Sequence, residues 1–163
     1  MREKFRELVK KKNKIFANLE LIQWDLETKT PVKSKPYLSE LVGELSMQEY
    51  NLFTSDEFVN LVENLNKEKN NLTEIEKKEV ELSMEEIEKK KKIPADEYEA
   101  YAKLTSINQG IWEEAKAKND FSIVKDNLEK IFNYNKKFAE YRRKDEKNLY
   151  DVLLNDYEKG MDT

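Results

Sequence analysis

Glu85, Glu86 and Glu88, and the pair Glu113–Glu114, are acidic clusters whose side chains could do chemistry, since carboxylates can hold a cation or move a proton. Neither grouping has the spaced Asp/Asn/Gly pattern of a calcium loop. Lysines lie about a turn away from each, so helical ion pairing is the reading that the spacing supports. The chain contains no histidine and no cysteine. A catalytic zinc draws its three protein ligands mostly from histidine with a carboxylate, and that set cannot be assembled. The Glu-x-x-His pairs of a carboxylate-bridged bundle are excluded for the same reason. A serine nucleophile would have no histidine base, and there is no glycine-rich phosphate loop. No autonomous active site, and no cofactor held by this chain, is expected.

The elements that carry these residues are expected to be helices. Only 3 glycines and 3 prolines occur in 163 residues, which leaves little turn chemistry. Valine and isoleucine recur at helical intervals rather than in alternating runs. The expected fold class is all-α, an irregular bundle of about six to seven helices forming a single domain over residues 1–163. Hydrophobic residues make up 38% of the chain and recur throughout, which argues against disorder.

Phe5, Leu8, Val9, Ile15, Phe16, Leu19, Ile22 and Leu26 predict a first long helix reaching the Trp24–Asp25 region. Pro31 and Pro36 bracket a link, after which Leu38, Leu41, Val42 and Leu45 face inward from a second helix. Thr54 and Glu57 have the spacing of a capping box for a third helix, and Thr73 with Glu76 repeats it for a fourth. The polar run from Asn64 to Asn71 is the expected internal loop. The fourth helix ends in the run Lys89–Lys92, read as a solvated, dipole-compensating terminus. Pro94 opens a fifth helix carrying Trp112. Asn119 or Asp120 caps a sixth. Tyr150 to Tyr157 form the last, with Gly160 as its left-handed stop.

Net charge is −4, from 30 basic and 34 acidic residues, which gives no electrostatic ground for nucleic acid binding. The runs Lys10–Lys12 and Lys89–Lys92 are interleaved with carboxylates and read as solvated faces. Residues 1–7 lack a secretory apolar core, and no segment has the roughly 20 apolar residues needed to span a bilayer. With cysteine absent, a cytoplasmic location and no membrane partner are expected.

Three stretches stand in order along the chain: Trp24-Asp25-Leu26-Glu27-Thr28-Lys29-Thr30-Pro31, then Trp112-Glu113-Glu114-Ala115-Lys116 with Asn119-Asp120-Phe121, then Tyr150 to Met161 with Leu154, Tyr157, Glu158 and Gly160. On their own chemistry these read as structural. The indoles of Trp24 and Trp112 and the ring of Tyr157 are expected in the core, where truncation to alanine costs about 3–5 kcal/mol. Together, from about Leu19 to Thr163, they resemble the amino-terminal part of the thermostable (Taq-type) zinc carboxypeptidases. Thr30 stands where that family usually has methionine, and Gln48 where a histidine commonly stands. The oligoendopeptidase-type zinc peptidases share a similar Tyr-x-x-Leu-Leu helix. The resemblance implies a parent that removes C-terminal residues from peptides with zinc or another divalent metal, as a homodimer. Its metal site would lie further along the polypeptide, and the helices of this chain would form a wall or lid of the substrate groove. A wall taken alone would expose an apolar patch and self-associate. The alternatives are a non-catalytic helical interaction domain, or the equivalent region of an oligoendopeptidase-type zinc peptidase.

Overall fold

The computed structural model describes all residues, Met1–Thr163. It is built of α1 (Arg2–Thr28), α2 (Lys35–Thr54), α3 (Asp56–Lys67), α4 (Glu74–Lys91), α5 (Ala95–Lys118), α6 (Ser122–Arg142) and α7 (Leu149–Leu154), with no strand. Short 3-10 turns at Val32–Ser34 and Lys69–Asn71 join some of them. The all-α fold expected from the sequence is the one observed. The chain divides into two compact units, Met1–Glu99 and Ala100–Thr163, with α5 beginning in the first and continuing through the second.

In the first unit α1 packs on α2 and α3, and α4 packs on the same two helices. The corner between α2 and α3 is a single residue. Ser55 has an extended ψ of 139°, and its hydroxyl accepts from the Phe58 amide at 3.3 Å. The cap expected at Thr54 therefore falls one residue later. Thr54 stays in the last turn of α2, donating its hydroxyl to the Tyr50 carbonyl at 2.9 Å. This shift turns Phe53 and Phe58 inward, edge to face with ring centroids 5.4 Å apart. The expected polar loop is also shorter than predicted, because α3 runs on to Lys67.

The cap at Thr73 forms as predicted. The Glu76 amide donates to Thr73 Oγ1 at 3.3 Å, and the Thr73 amide donates to Glu76 Oε2 at 3.0 Å. The other oxygen of Glu76 accepts from Arg6 Nη2 at 2.7 Å, so one carboxylate closes the start of α4 and ties it to α1. The Thr73 amide, then the Arg6 guanidinium, hold this carboxyl down to about 2 from an ordinary value of 4.5. A lowered folded-state pKa adds stability that is present above the unfolded value and is lost as pH falls through the folded one. Between pH 4.5 and about 2 the Glu76→Gln variant should therefore lose less stability than the wild type. Urea midpoints across that window check this, and parallel acid slopes would contradict it.

Ser83 on α4 is 1% exposed, and its hydroxyl has no hydrogen-bond partner. An unsatisfied buried hydroxyl is unfavourable. Ser83→Ala should leave stability unchanged or raise it by up to about 1 kcal/mol, a sign opposite to most core truncations. A lowered denaturation midpoint would show that the hydroxyl is satisfied.

In the second unit α7 packs on α6. The rings of Tyr101, Tyr134 and Phe138 form a triangle with centroids 5.3 to 5.8 Å apart. The helix expected from Tyr150 to Tyr157 is shorter, ending at Leu154. Asn148 and Asp151 open it as a capping box, and past Leu154 the chain leaves the helix in successive turns. The Leu154 carbonyl accepts from the amides of Tyr157 at 3.0 Å and Glu158 at 2.8 Å. Gly160 is left-handed as expected, with φ +80°, but it closes these turns rather than the helix. Asp151 is 6% exposed and accepts from the Thr163 amide at 3.0 Å, which pins the following segment back onto α7.

Candidate functional site

The residues of the first stretch meet in one local structure, the carboxyl end of α1. Lys29 and Thr30 both donate their amides to the Asp25 carbonyl at 3.0 Å, and Thr30 Oγ1 donates to Asp25 Oδ2 at 2.7 Å. The Thr28 hydroxyl donates to the Trp24 carbonyl at 2.6 Å. Pro31 then starts the 3-10 turn, its carbonyl accepting from the Ser34 amide at 2.8 Å. Thr30 is buried and is part of this closure.

Trp24 is not a core residue. It is 70% exposed, and Leu21 one turn before it is 68% exposed. The buried face of α1 carries Phe5, Ile15 and Leu26. Trp24 precedes Leu26 by two residues, which at 3.6 residues per turn rotates it about 200° away, onto the opposite face. Phe16, expected inside, is likewise exposed.

The second stretch builds the hairpin between α5 and α6. Asn119 takes a left-handed φ of 50°, and the Asp120 amide reaches back to the Ala115 carbonyl at 2.9 Å, closing α5. Asp120 Oδ1 then accepts from the Ser122 amide at 2.9 Å and the Ser122 hydroxyl at 2.6 Å. The Ser122 hydroxyl and amide lower the Asp120 pKa. Trp112, expected in the core, is 43% exposed, with Lys116 Nζ 4.9 Å above its ring one helical turn on. Phe121 is exposed as well.

In the third stretch Tyr150 is exposed, Leu154 half-buried and Glu158 exposed. Tyr157 is 87% exposed, because the helix that was to carry it inward has already ended. The Arg142 guanidinium pairs with Asp156 at 2.7 Å and fixes the first of the turns.

One cluster was not foreseen. Lys90 lies in the run read as solvated, yet its side chain is 12% exposed. Its ammonium sits 3.2 Å from Glu86 and 3.5 Å from Glu49, and lies over the rings of Phe53 at 5.2 Å and Tyr98 at 5.8 Å. Burial disfavours its charge, but Tyr98, Glu49 and Glu86 outweigh that and raise its pKa. The signal was present in the spacing. Val80, Ser83, Ile87 and Lys90 follow at intervals of three and four, so Lys90 shares the buried stripe of α4. The Tyr50 ring lies tilted against that of Tyr98, centroids 4.7 Å apart, and its hydroxyl donates to the Ile93 carbonyl at 2.7 Å. The cluster is an internal clamp, with Lys90 paired to both carboxylates and Tyr50 bonded to the backbone.

The residues present do not fit a catalytic zinc. Histidine and cysteine are absent, and no three Asp or Glu side chains converge into a group that could hold a metal ion. No helix is long and apolar enough to cross a membrane.

Comparison with known proteins gives the family. The description of carboxypeptidase Taq (M32) metallopeptidases matches residues 4–163, and the chain belongs to that family. Carboxypeptidase 1 of Bacillus subtilis (strain 168) is 36% identical over 159 residues, covering 98% of this chain and 32% of that protein. Thermostable carboxypeptidase 1 of Pyrococcus furiosus is 38% identical over 143 residues, covering 88% of this chain and 28% of that protein. The crystal structure of BsuCP superimposes with a TM-score of 0.92 at 36% identity, over 98% of this chain and 32% of that one. The chain thus spans about a third of the length of the curated relatives it matches.

Proposed function

We propose that this chain is the amino-terminal helical part of a metal-dependent carboxypeptidase that releases C-terminal residues from peptides. In this reading it supplies part of the wall or lid of the substrate groove. The zinc or other divalent ion, its histidine ligands and the catalytic glutamate belong to the remainder of the parent. The observation that carries the reading is the asymmetry of coverage. Nearly the whole of this chain, 98%, aligns with a carboxypeptidase of which it covers only 32%. A metallopeptidase needs a metal-polarised water, and a chain without histidine must leave those ligands to another segment. The chain's own contribution is then positional. Closure of the α1 end by Asp25 and Thr30 holds the exposed Trp24 in one place, and the clamp around Lys90 fixes α4 against α2.

The reading frame beyond residue 163 tests this. It should encode a His-Glu-x-x-His segment. A stop codon close behind residue 163 would overturn the reading in favour of a non-catalytic helical interaction domain.

A further inference from the structure

The solvent face of α1 carries Lys10, Ala17, Leu21, Trp24 and Thr28, all exposed and spaced at three, four or seven residues. Along its first half runs a groove of about 570 Å³ between α1 and the start of α4. Val9 and Ala17 line it with Ile75, which is 82% exposed, while Lys10 and Lys14 flank it. The two carboxylates of the groove are already engaged, Glu76 by Arg6 and Glu79 by Lys12. The charges of Lys10 and Lys14 are therefore not offset from within the groove. Leu21 and Trp24 extend the apolar surface further along the same helix.

We propose that this face is the seat on which the remaining two thirds of the parent polypeptide packs, through an apolar helix edge bearing carboxylates opposite Lys10 and Lys14. The inference rests on the parent reading given above. An indole presents about 200 Å² of surface, and Leu21 and Ala17 continue the apolar run along α1 to the groove where Ile75 is exposed, the kind of surface that marks interaction sites. The family relatives have about twice this chain's mass in further sequence, enough to cover such a face. A second copy is the poorer complement. The patch that a second copy would bring carries the same exposed lysines, and its groove carboxylates Glu76 and Glu79 are already paired. Asp25 and Thr30 end α1 immediately after Trp24, so the indole is presented from a fixed helix terminus rather than a loose tail.

The test uses Leu21→Cys, whose side chain is exposed and whose thiol is unique in a chain without cysteine. Maleimide labelling is followed by mass spectrometry of the peptide containing residue 21, in the 163-residue chain and in the intact parent, with circular dichroism to check folding. Labelling should be fast in the chain and slower in the parent by about tenfold or more, as expected for a site reached only through local opening. Equal rates in the two would overturn the proposal. Labelling of the chain alone that slows as its concentration rises would overturn it in favour of a second copy. Peptide hydrolysis by the same parent preparation reports separately on the parent reading, so the two failures are distinguishable.

Discussion

Phe58→Ala is expected to lower the unfolding free energy by about 3–5 kcal/mol. Phe58 is fully buried, and its ring meets Phe53 edge to face at 5.4 Å and Phe5 at 6.5 Å. It therefore joins α1, α2 and α3 at one point, directly after the one-residue corner at Ser55. Truncation opens a cavity that three helices cannot all move to fill, and removes two aromatic contacts. Trp24→Ala, by contrast, removes a larger side chain from an exposed position and should change stability in the isolated chain by less than about 1 kcal/mol. The pair of variants, compared by urea denaturation, decides between a core at Phe58 and a core at Trp24. A greater loss for Trp24→Ala would mean that the indole is buried.

Lys90→Met should cost about 3 kcal/mol, because it leaves Glu49 facing a low-dielectric pocket without its cation. The loss includes the contacts of the ammonium with the rings of Phe53 and Tyr98. A second change, Glu49→Met, should restore much of that stability, since the penalty comes from the orphaned carboxylate rather than from the pair itself. A double-mutant cycle measures this. Additive losses would show that Lys90 and Glu49 do not act as a pair.

What was legible in the sequence follows from how local the deciding interaction is. Thr73 with Glu76, Pro94 and Asp120 act within a few residues of themselves, and each starts its helix where the sequence indicates. Thr54 and Ser55 are adjacent hydroxyls of equal capping ability. The choice between them is made by the packing of Phe53 and Phe58, which no local pattern contains. Trp24 and Tyr157 lie outside the core because their positions on the chain override the apolar character of their rings. Trp24 lies opposite Leu26 on α1, and Tyr157 follows a helix that ends at Leu154. Lys90 was hidden by its neighbours, since a run of four lysines reads as solvent-facing although one of them continues the buried stripe of Val80 and Ile87.

The three family stretches were legible for a different reason: each closes or opens a helix, and that geometry depends on few side chains. Asp25 with Thr30 ends α1, Asp120 starts α6, and Asn155 with Gly160 shapes the turns after α7, the Gly160 amide donating to Asn155 Oδ1 at 3.0 Å. Their aromatic members point outward. No group of three or more carboxylates able to hold a metal ion is found among these residues, and histidine and cysteine are absent from the sequence.

The central claim is that the chemistry of the parent enzyme lies outside these 163 residues while the residues remain part of it. The most direct measurement is C-terminal trimming of a defined peptide, followed by mass spectrometry, for the intact parent with metal, the parent stripped by a chelator, and the 163-residue chain with metal. The account predicts stepwise loss of C-terminal residues from the first alone. Trimming by the 163-residue chain, or by the metal-stripped parent at an undiminished rate, would contradict it.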